Sequence, residues 1–306
     1  MKVLVFGSNG MVGSAVNRVF SLDNYYNLEL SSRKDTNLFN FEETANKVKK
    51  SLPDVIINAA AKVGGIYANN TQRVSFILDN LKINMNILEA CIDLKNVKII
   101  NLGSSCIYPL DSKNPIREEE YMNGKLEPTN SPYAMAKLTA IEIGSAMHLE
   151  YGHKVINLMP TNLYGPNDYF SELNSHVIPG LIMRMHKAKL NNDKEFLIWG
   201  SGNPLREFLH VEDLAKAIDT IIKSDTSESL INVGSSEEIS IKKLAEEIKL
   251  IIGYEGELSF DSSKPDGNPR KLLDSTKIYN LGWRPEIDLK SGLKDTYKWF
   301  LDNTEL

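Results

Sequence analysis

Cysteine is scarce in this chain of 306 residues, which contains only Cys91 and Cys106. Two cysteines without a paired spacing predict neither a disulfide framework nor a zinc site, so we expect a reducing compartment and no metal. Long apolar runs are also lacking, because no run approaches the ~20 residues needed to span a bilayer. The first residues have no long apolar region of the signal-peptide type, and the sequence therefore predicts a cytoplasmic protein without a membrane partner.

A basic surplus is missing as well. The chain has 35 lysines and arginines against 40 aspartates and glutamates, which gives a net charge of −5. This balance gives no reason to expect a nucleic-acid partner. Hydrophobic residues make up 42%, an ordinary value for a globular protein long enough for one large or two modest domains.

Short apolar runs alternate with longer helical patterns in the first half of the chain. This alternation predicts an α/β fold with a doubly wound parallel sheet. We expect a dinucleotide-binding Rossmann domain over residues 1–165, completed by about 207–238. A smaller, interleaved substrate-binding domain would comprise 166–206 and 239–306, with the active site in the cleft between the two. The predicted strands are 2–6, 28–30, 54–58, 97–102, 155–159, 230–233 and 257–260, and the main helices are 12–20, 41–50, 75–94, 133–151, 176–189 and 241–251. A further strand–helix unit is predicted to start at 208–213, and a polar loop over 261–271 is predicted to precede a terminal amphipathic helix.

A glycine-rich turn follows the first predicted strand and opens the first helix. Its spacing is GxxGxxG, which permits a tight turn and lets backbone N–H groups approach a pyrophosphate at the helix N-terminus. A glycine turn without any ligand is the alternative, but the strand–turn–helix context favours a cofactor. The predicted contacts in this turn are Gly7, Ser8, Asn9, Gly10, Met11, Val12 and Gly13.

The end of the second predicted strand favours NADP(H) over NAD. Glu29 lies within the strand, whereas Arg33 follows its end and can pair with a 2′-phosphate through parallel hydrogen bonds. A solvated basic turn is the alternative. Asn9 is neutral, which leaves more of the phosphate binding to Arg33 and allows some tolerance of NADH.

Tyr133 and Lys137 lie four residues apart in a predicted helix and therefore on one face. A lysine ammonium stabilises a neighbouring phenolate, so we expect Lys137 to lower the Tyr133 pKa from its usual ~10. A lowered pKa would suit this tyrosine to proton transfer near neutral pH. Ser104 follows the apolar run 97–102 upstream of the pair.

The glycine turn, Ser104 and the Tyr133/Lys137 pair, in this order, resemble the extended short-chain dehydrogenase/reductase family. Longer stretches are similar, within that family, to the GDP-L-fucose synthases. Those stretches are AAAKVGGI at 59–66, GSSCIYP at 103–109, LEPTNSPYAMAK at 126–137, PTNLYGPND at 160–168, NSHVIP at 174–179, WGSG at 199–202, REFLHVEDLA at 206–215 and SKPDGNPRKLLD at 263–274.

The resemblance implies one active site that inverts two carbons flanking a ketone and then reduces the ketone with NADPH. It assigns Ser104 to hydrogen bonding of the substrate oxygen, Tyr133 to proton donation and Lys137 to the nicotinamide ribose as well. In the inversions it makes Cys106 the base and His176 the acid. The further cofactor contacts that it implies are Leu102, Gly103, Pro160, Asn162, Leu163 and His176.

Both proton-transfer assignments have simpler alternatives. A cysteine near a strand end is usually a small buried apolar residue, and a lone histidine is usually a surface or hydrogen-bonded polar residue. The joint occurrence of Cys106 and His176 with the serine and Tyr/Lys motifs favours the catalytic interpretation. Cys91 has no such context and is predicted to be a core helix residue.

The resemblance also implies that cations hold the substrate's diphosphate. Arg206 could instead form a surface ion pair with the adjacent Glu207, Arg184 could be a solvated helix residue, and Asp266 could simply shape a Pro-Asp-Gly turn. The implied contacts are Arg184, Arg206 and Lys271, with Trp199 and Asp266 nearby.

The resemblance thus favours a bifunctional enzyme that forms GDP-L-fucose from GDP-4-keto-6-deoxy-D-mannose. The alternatives are a related nucleotide-sugar 4-keto reductase or epimerase for another deoxysugar or deoxyheptose, and a non-enzymatic dinucleotide sensor. A homodimer packed through long helices is also implied, although the same helical patterns permit burial against the sheet.

Overall fold

The computed structural model of the protein describes residues 1–264 and 266–304. Pro265 of the 263–274 motif and the last two residues of the predicted 239–306 segment lie outside the described residues. The strands are β1 (Lys2–Phe6), β2 (Asn27–Ser31), β3 (Val55–Asn58), β4 (Lys98–Leu102), β5 (Lys154–Pro160), β6 (Asn162–Tyr164), β7 (Glu195–Trp199), β8 (Leu205–His210), β9 (Leu230–Val233), β10 (Glu238–Ser240), β11 (Glu257–Asp261) and β12 (Arg270–Lys271). The α-helices are α1 (Met11–Phe20), α2 (Phe41–Ser51), α3 (Ile66–Thr71), α4 (Arg73–Ala90), α5 (Ser131–Tyr151), α6 (Val177–Leu190), α7 (Val211–Lys223), α8 (Ile241–Ile252), α9 (Thr276–Asn280) and α10 (Leu289–Asn303).

Six strands form one sheet in the order β2-β1-β3-β4-β5-β9, and every neighbouring pair is parallel. From β1 the chain winds outward to β2 on one side and through β3 on the other. Such a reversal is where open α/β sheets bind ligands, at the carboxyl ends of the strands. The predicted α/β fold with a doubly wound parallel sheet is confirmed.

Helices cover both faces of this sheet. Val3 and Val5 pack into a core with α1 and α7, whereas Leu4 and Phe6 pack into a core with α4 and α5. All four side chains are fully buried. Burial on both faces explains why these strands appear in the sequence as continuous apolar runs rather than alternating ones. Within the described ranges, no helix is long and apolar enough to cross a membrane.

A second core joins α6, α8 and α10 to the short strands β7, β8 and β11. Strand β8 connects this region to the large sheet. It pairs in parallel with β6, which directly follows β5, and with β12, and it pairs antiparallel with β10. Because β6 begins just beyond the carboxyl end of β5, its pairing with β8 holds the second core near the carboxyl ends of the parallel strands.

The longer predicted elements are present with shifted ends, but several short ones were missed. The predicted helix 75–94 is α4, which ends at Ala90 and is preceded by the separate helix α3. The predicted polar loop 261–271 is partly wrong, because Arg270 and Lys271 pair with β8. Contacts distant in sequence decide such short strands, and local propensity does not. The unpredicted elements are α3, β6, β7, β10, β12 and α9.

Candidate active site

Two glycines of the amino-terminal turn, Gly7 and Gly13, are packed too closely to carry side chains. Gly7 has a φ of +78°, and a Cβ there would lie 2.7 Å from the Ala60 nitrogen. A Cβ on Gly13 would lie 2.3 Å from the Gly7 carbonyl oxygen. In the described chain no side chain caps the start of α1 at Gly10, so its first N–H groups are available to an anion. This cradle fits the pyrophosphate of a dinucleotide.

Arg33 lies in the turn after β2, where the sequence analysis placed a 2′-phosphate contact. It is exposed, and its guanidinium carbon is 5.4 Å from the centre of the Phe39 ring. The Asp35 carboxylate in the same turn accepts hydrogen bonds from the Ser32 N–H at 2.8 Å and from its hydroxyl at 2.6 Å. The turn therefore presents its arginine to solvent while its own carboxylate is engaged.

Ser104 and Cys106 lie in the tight turn that follows β4. Residues Ser105–Ile107 form one 3-10 turn, and the Ser104 hydroxyl caps it by accepting a hydrogen bond from the Cys106 N–H at 3.3 Å. A Cβ on Gly103 would lie 2.5 Å from the Met159 sulfur, so a larger residue before the serine would have to displace the buried Met159 side chain. The turn places the hydroxyl and the thiol together at the carboxyl end of the sheet.

Tyr133 and Lys137 lie in the first two turns of α5. The Lys137 Nζ is 5.7 Å from the centre of the Tyr133 ring and donates a 2.6 Å hydrogen bond to the carbonyl of Leu102. That bond ties the helix to the end of β4, just before Ser104. Tyr133 is half-buried and packs edge-to-face against Phe76. The predicted Tyr/Lys pair is thus brought to the serine turn.

Burial sets the proton affinities of this pair. Desolvation raises the pKa of Tyr133, and the charge of Cys106 raises it further. Desolvation also lowers the pKa of Lys137 to about 8, which the charge of Cys106 opposes. The expectation of a lowered Tyr133 pKa is therefore wrong, because loss of hydration of the phenolate is the largest influence on it. Tyr133 is held as a neutral phenol, the form that can donate a proton.

The Cys106 thiol is controlled by burial and by two lysines. Desolvation raises its pKa, while the charge of Lys271, a hydrogen bond with Ser104 and the charge of Lys137 act in the opposite direction. Lys137 approaches from α5 and Lys271 from β12. Because a thiolate is the basic form, both cations favour the state in which Cys106 can accept a proton.

His176 directly precedes α6, in a loop that rests on the segment after β3. The Gly65 N–H donates to the Asn174 carbonyl at 2.9 Å, and a Cβ on Gly65 would lie 2.3 Å from the Ser175 carbonyl oxygen. The glycine thus lets the histidine loop approach the ends of the sheet strands. The side chain of His176 remains exposed, while the surrounding walls lower its pKa by desolvation.

Arg184 on α6 is shielded by two aromatic rings. Its guanidinium carbon lies 5.1 Å from the Phe196 ring centre and 5.2 Å from that of Trp199, and it donates to the Leu197 carbonyl at 3.2 Å. The alternative of a fully solvated helix residue does not hold for this arginine. Trp199 is 42% exposed, so its ring leaves a surface on which a planar ligand can stack.

Arg206 and Lys271 are direct neighbours across β8 and β12. The Arg206 guanidinium donates to the carbonyls of Leu205 at 2.8 Å and Asp266 at 3.3 Å. Two cations on adjacent strands suit a diphosphate. Both carboxylate oxygens of Asp266 accept hydrogen bonds from Ser201, each at 2.7 Å. Because both oxygens are already engaged, Asp266 is better explained as a residue that shapes this loop than as a contact with substrate.

Glu207 was not predicted as a site residue. The sequence analysis left open a surface ion pair between Arg206 and Glu207. That interpretation is wrong, because Glu207 is fully buried. Its carboxylate accepts hydrogen bonds from the Ser236 N–H at 2.7 Å and the Leu273 N–H at 3.0 Å. Its backbone carbonyl accepts one from the Asn162 amide at 2.9 Å. Glu207 thus joins β8 to β6, to the loop after β9 and to the segment after β12. Its one signal in the sequence is its place next to Arg206.

Asn232, buried on β9, was also missed. Its N–H donates to the Glu118 carboxylate at 2.8 Å, and its side-chain oxygen accepts from the Tyr108 hydroxyl at 2.5 Å. Its side-chain nitrogen donates to two further backbone carbonyls. Tyr108 directly follows the turn that carries Cys106, so Asn232 anchors that turn to the sheet. The tyrosine in GSSCIYP is the signal that could have indicated this contact.

The remaining predicted cofactor contacts lie at the ends of β4 and β5 and within β6. Leu102 is the last residue of β4 and Gly103 follows it, Pro160 is the last residue of β5, and Asn162 and Leu163 belong to β6. All are at the carboxyl edge of the sheet or directly beyond it. Among the residues that the structure describes, no group of three or more histidine, cysteine or acidic side chains could hold a metal ion.

Comparison with known proteins adds to this geometry. The GDP-L-fucose synthase of Escherichia coli (strain K12) is 44% identical over 313 residues, covering 99% of this chain and 98% of the relative. A GDP-L-fucose synthetase from Naegleria fowleri bound to NADP is 31% identical, with a TM-score of 0.89 over 99% of this chain and 94% of that one. A GDP-6-OMe-4-keto-L-xylo-heptose reductase from C. jejuni is 32% identical, with a TM-score of 0.91 over 99% and 98%. Residues 3–234 match the NAD dependent epimerase/dehydratase family, and the chain belongs to that family.

Proposed function

We propose that the protein converts GDP-4-keto-6-deoxy-D-mannose to GDP-L-fucose as a bifunctional NADPH-dependent 3,5-epimerase and 4-reductase. One observation carries the proposal: the Cys106 thiol lies close enough to the Tyr133/Lys137 pair for its charge to act on both. A simple ketone reductase needs only the pair and the serine. A thiol beside them supplies a base for the carbons next to the ketone. The similarity to the E. coli GDP-L-fucose synthase supports this assignment.

In the epimerase half, Cys106 removes a proton from a carbon next to the ketone, and His176 returns one to the opposite face. Ser104 and Tyr133 hydrogen-bond the ketone oxygen, which stabilises the negative charge that develops there. The thiolate is favoured by Lys271 and Lys137. The cycle is repeated at the second carbon, so both C3 and C5 are inverted.

In the reductase half, Tyr133 donates its phenolic proton to the C4 oxygen. NADPH, when bound, supplies the hydride. Burial holds Tyr133 in the protonated form needed for donation. Lys137, fixed by the Leu102 carbonyl, stands beside the ring and is placed to bind the nicotinamide ribose. The glycine cradle holds the pyrophosphate, and Arg33 binds the 2′-phosphate.

The nucleotide end of the substrate is held by the second core. Arg206 and Lys271, side by side on β8 and β12, bind the diphosphate. Arg184 and Trp199 lie further along, where an aromatic ring and a cation suit a guanine base. Lys271 would therefore serve twice, because it contacts the phosphate end and acts electrostatically on Cys106.

Turnover tests the proposal against its nearest alternative. Purified protein is mixed with NADPH and either GDP-4-keto-6-deoxymannose or a GDP-4-keto-6-deoxyheptose, and NADPH oxidation is followed. We expect the deoxymannose to be the better substrate by kcat/KM, with GDP-L-fucose as product. Preference for the heptose would favour the related reductase, and absence of oxidation with either would favour the dinucleotide sensor.

We further propose a homodimer in the cytoplasm that forms through α4 and α5. Val74, Leu78 and Met85 on α4 and Met135 on α5 are apolar, and each is at least 46% exposed. A second copy would cover these side chains. Light scattering tests this: a Leu78→Asp variant is expected to be monomeric where the unmodified protein is dimeric. We also retain the proposed division into a Rossmann domain (1–165 and about 207–238) and a substrate domain (166–206 and 239–306).

A further inference from the structure

The adenosine end of the cofactor site has cations in only one of its two expected positions. The glycine turn contributes the neutral Asn9, whereas the turn after β2 contributes Arg33 and the adjacent Lys34. A 2′-phosphate has up to two negative charges and is bound best by several charge-assisted hydrogen bonds. A further cation from another segment of the chain would therefore matter for cofactor choice.

Such a cation lies on α4. The Lys82 Nζ is 5.9 Å from the centre of the Phe39 ring, the same ring that the Arg33 guanidinium carbon approaches to 5.4 Å. One exposed aromatic side chain therefore gathers two cations that come from separate segments of the chain. Attraction between a cation and the face of an aromatic ring holds each of them near it. Both cationic groups therefore lie no more than 5.9 Å from the centre of the same ring.

A hydrogen bond fixes the helix in this position. The Asn86 side-chain nitrogen donates to the Leu38 carbonyl at 2.8 Å, which joins α4 to the loop that contains Phe39. Lys82 is four residues before Asn86 and thus on the same face of the helix. The bond therefore directs this face, with its lysine, towards the Arg33 turn.

Nearby carboxylates are engaged elsewhere. Asp79, one turn before Lys82, pairs with Lys62 at 3.6 Å, and Asp35 is hydrogen-bonded to Ser32. Within residues 1–264 and 266–304, neither Lys82 nor Arg33 forms an ion pair with a carboxylate. Two exposed cations without such a partner can accept an anion without breaking an existing pair.

We propose that Lys82 is a second ligand of the 2′-phosphate of NADPH and, together with Arg33, sets the preference for NADPH over NADH. Its position on α4 supplies the positive charge that Asn9 does not. The proposal rests on the NADPH dependence of the proposed function, and it adds a specificity residue that lies outside the glycine turn and the β2 end.

Lys82→Met tests this assignment. Dissociation constants are measured for NADPH, NADH and 2′,5′-ADP, together with KM for both cofactors. We expect NADPH and 2′,5′-ADP to bind about fivefold more weakly, as for loss of one exposed charge pair, while NADH binding is unchanged. Lys82→Arg is expected to keep NADPH binding. The control is Lys49→Met, which removes the same charge from an exposed position on α2.

Each outcome decides one point. An equal loss for NADPH and NADH, no loss for NADPH, or the same loss in Lys49→Met would overturn the assignment of Lys82. Selective weakening of 2′,5′-ADP would support it, even if the enzyme turned over no GDP-sugar. In that last case the proposed function would fail while the phosphate contact stood, so the two failures are distinguishable.

Discussion

The thiol pocket (Ser104, Cys106, Tyr133 and Lys137) and the cation rim (Arg33, Phe39 and Lys82) both contain a lysine, but the surroundings of the two lysines differ. Lys137 is 2% exposed, and burial lowers its pKa to about 8. Lys82 is exposed and lies over an aromatic ring. In the pocket, burial shifts the balance between the charged and the neutral form of Lys137. At the rim, the exposed Lys82 acts only by attracting an anion.

This difference predicts the size of the effects. A group that transfers a proton contributes factors of about 10² to 10⁴ in rate. An exposed charge pair contributes ~1 kcal/mol or less because water and salt screen it. Substitutions in the pocket should therefore cost orders of magnitude, and those at the rim should cost several-fold.

The largest effect is expected for Tyr133→Phe. The variant lacks the proton donor for C4, so kcat for NADPH oxidation should fall by about 10³, while C3 and C5 exchange persists at a reduced rate. Stopped-flow absorbance measures NADPH oxidation, and NMR measures the exchange at C3 and C5. Tyr169→Phe, which removes a hydroxyl from an exposed tyrosine, is the control and should be unaffected. Unchanged oxidation in Tyr133→Phe would refute the donor assignment.

Cys106→Ser should separate the two half-reactions. A serine hydroxyl is far less acidic than a thiol, so exchange of the C3 and C5 protons with solvent should fall by about 100-fold or more. NADPH binding, measured by fluorescence titration, should not change. Cys91→Ala removes the other buried thiol and should leave exchange intact. If Cys106→Ser exchanges both protons at the normal rate, the cysteine is a core residue and nothing more.

Reduction should depend on pH through Lys137. Because its pKa is lowered to about 8, the ammonium is present below that pH and is lost as the pH rises through it. We expect kcat/KM for reduction to fall above about pH 8, by at most tenfold per pH unit. Lys137→Arg keeps its charge and should lose this fall, whatever its absolute rate. A flat profile for the unmodified enzyme across this range would contradict the account.

A smaller effect is expected for Glu207→Gln. The amide can accept one of the two backbone hydrogen bonds but opposes the other donor, at a cost of about 1–3 kcal/mol. Urea unfolding should show this loss, and KM for the GDP-sugar should rise several-fold because the segment after Lys271 loses its anchor. Glu246→Gln, at an exposed position on α8, should change neither quantity. Equal stability of Glu207→Gln and the unmodified protein would remove Glu207 from this role.

The doubly wound sheet was predictable because the sequence signals for it lie within short continuous segments. Apart from the edge strand β2, the parallel strands are buried on both faces and so form largely apolar runs, and the glycine turn lies within a single strand–turn–helix unit. Strand β12 and the contacts of Glu207 and Asn232 were not predictable in this way. They join segments 29 to 124 residues apart in sequence, and no local period marks them.

The proton affinities also lay beyond the sequence. The Tyr133/Lys137 spacing correctly predicts two neighbouring side chains, but it suggests the wrong direction for the tyrosine pKa. The direction depends on burial, which is a property of the assembled pocket. Likewise, Lys82 resembles any exposed helix lysine until Phe39 is placed beside it.

The central claim is that one pocket performs two inversions and one reduction. It is tested most directly by incubating the protein with GDP-4-keto-6-deoxymannose and NADPH in deuterated water and analysing the product by NMR. We predict GDP-L-fucose with deuterium at both C3 and C5 and with hydrogen from NADPH at C4. A reduced product without deuterium at C3 and C5 would show a simple reductase and contradict the role of Cys106.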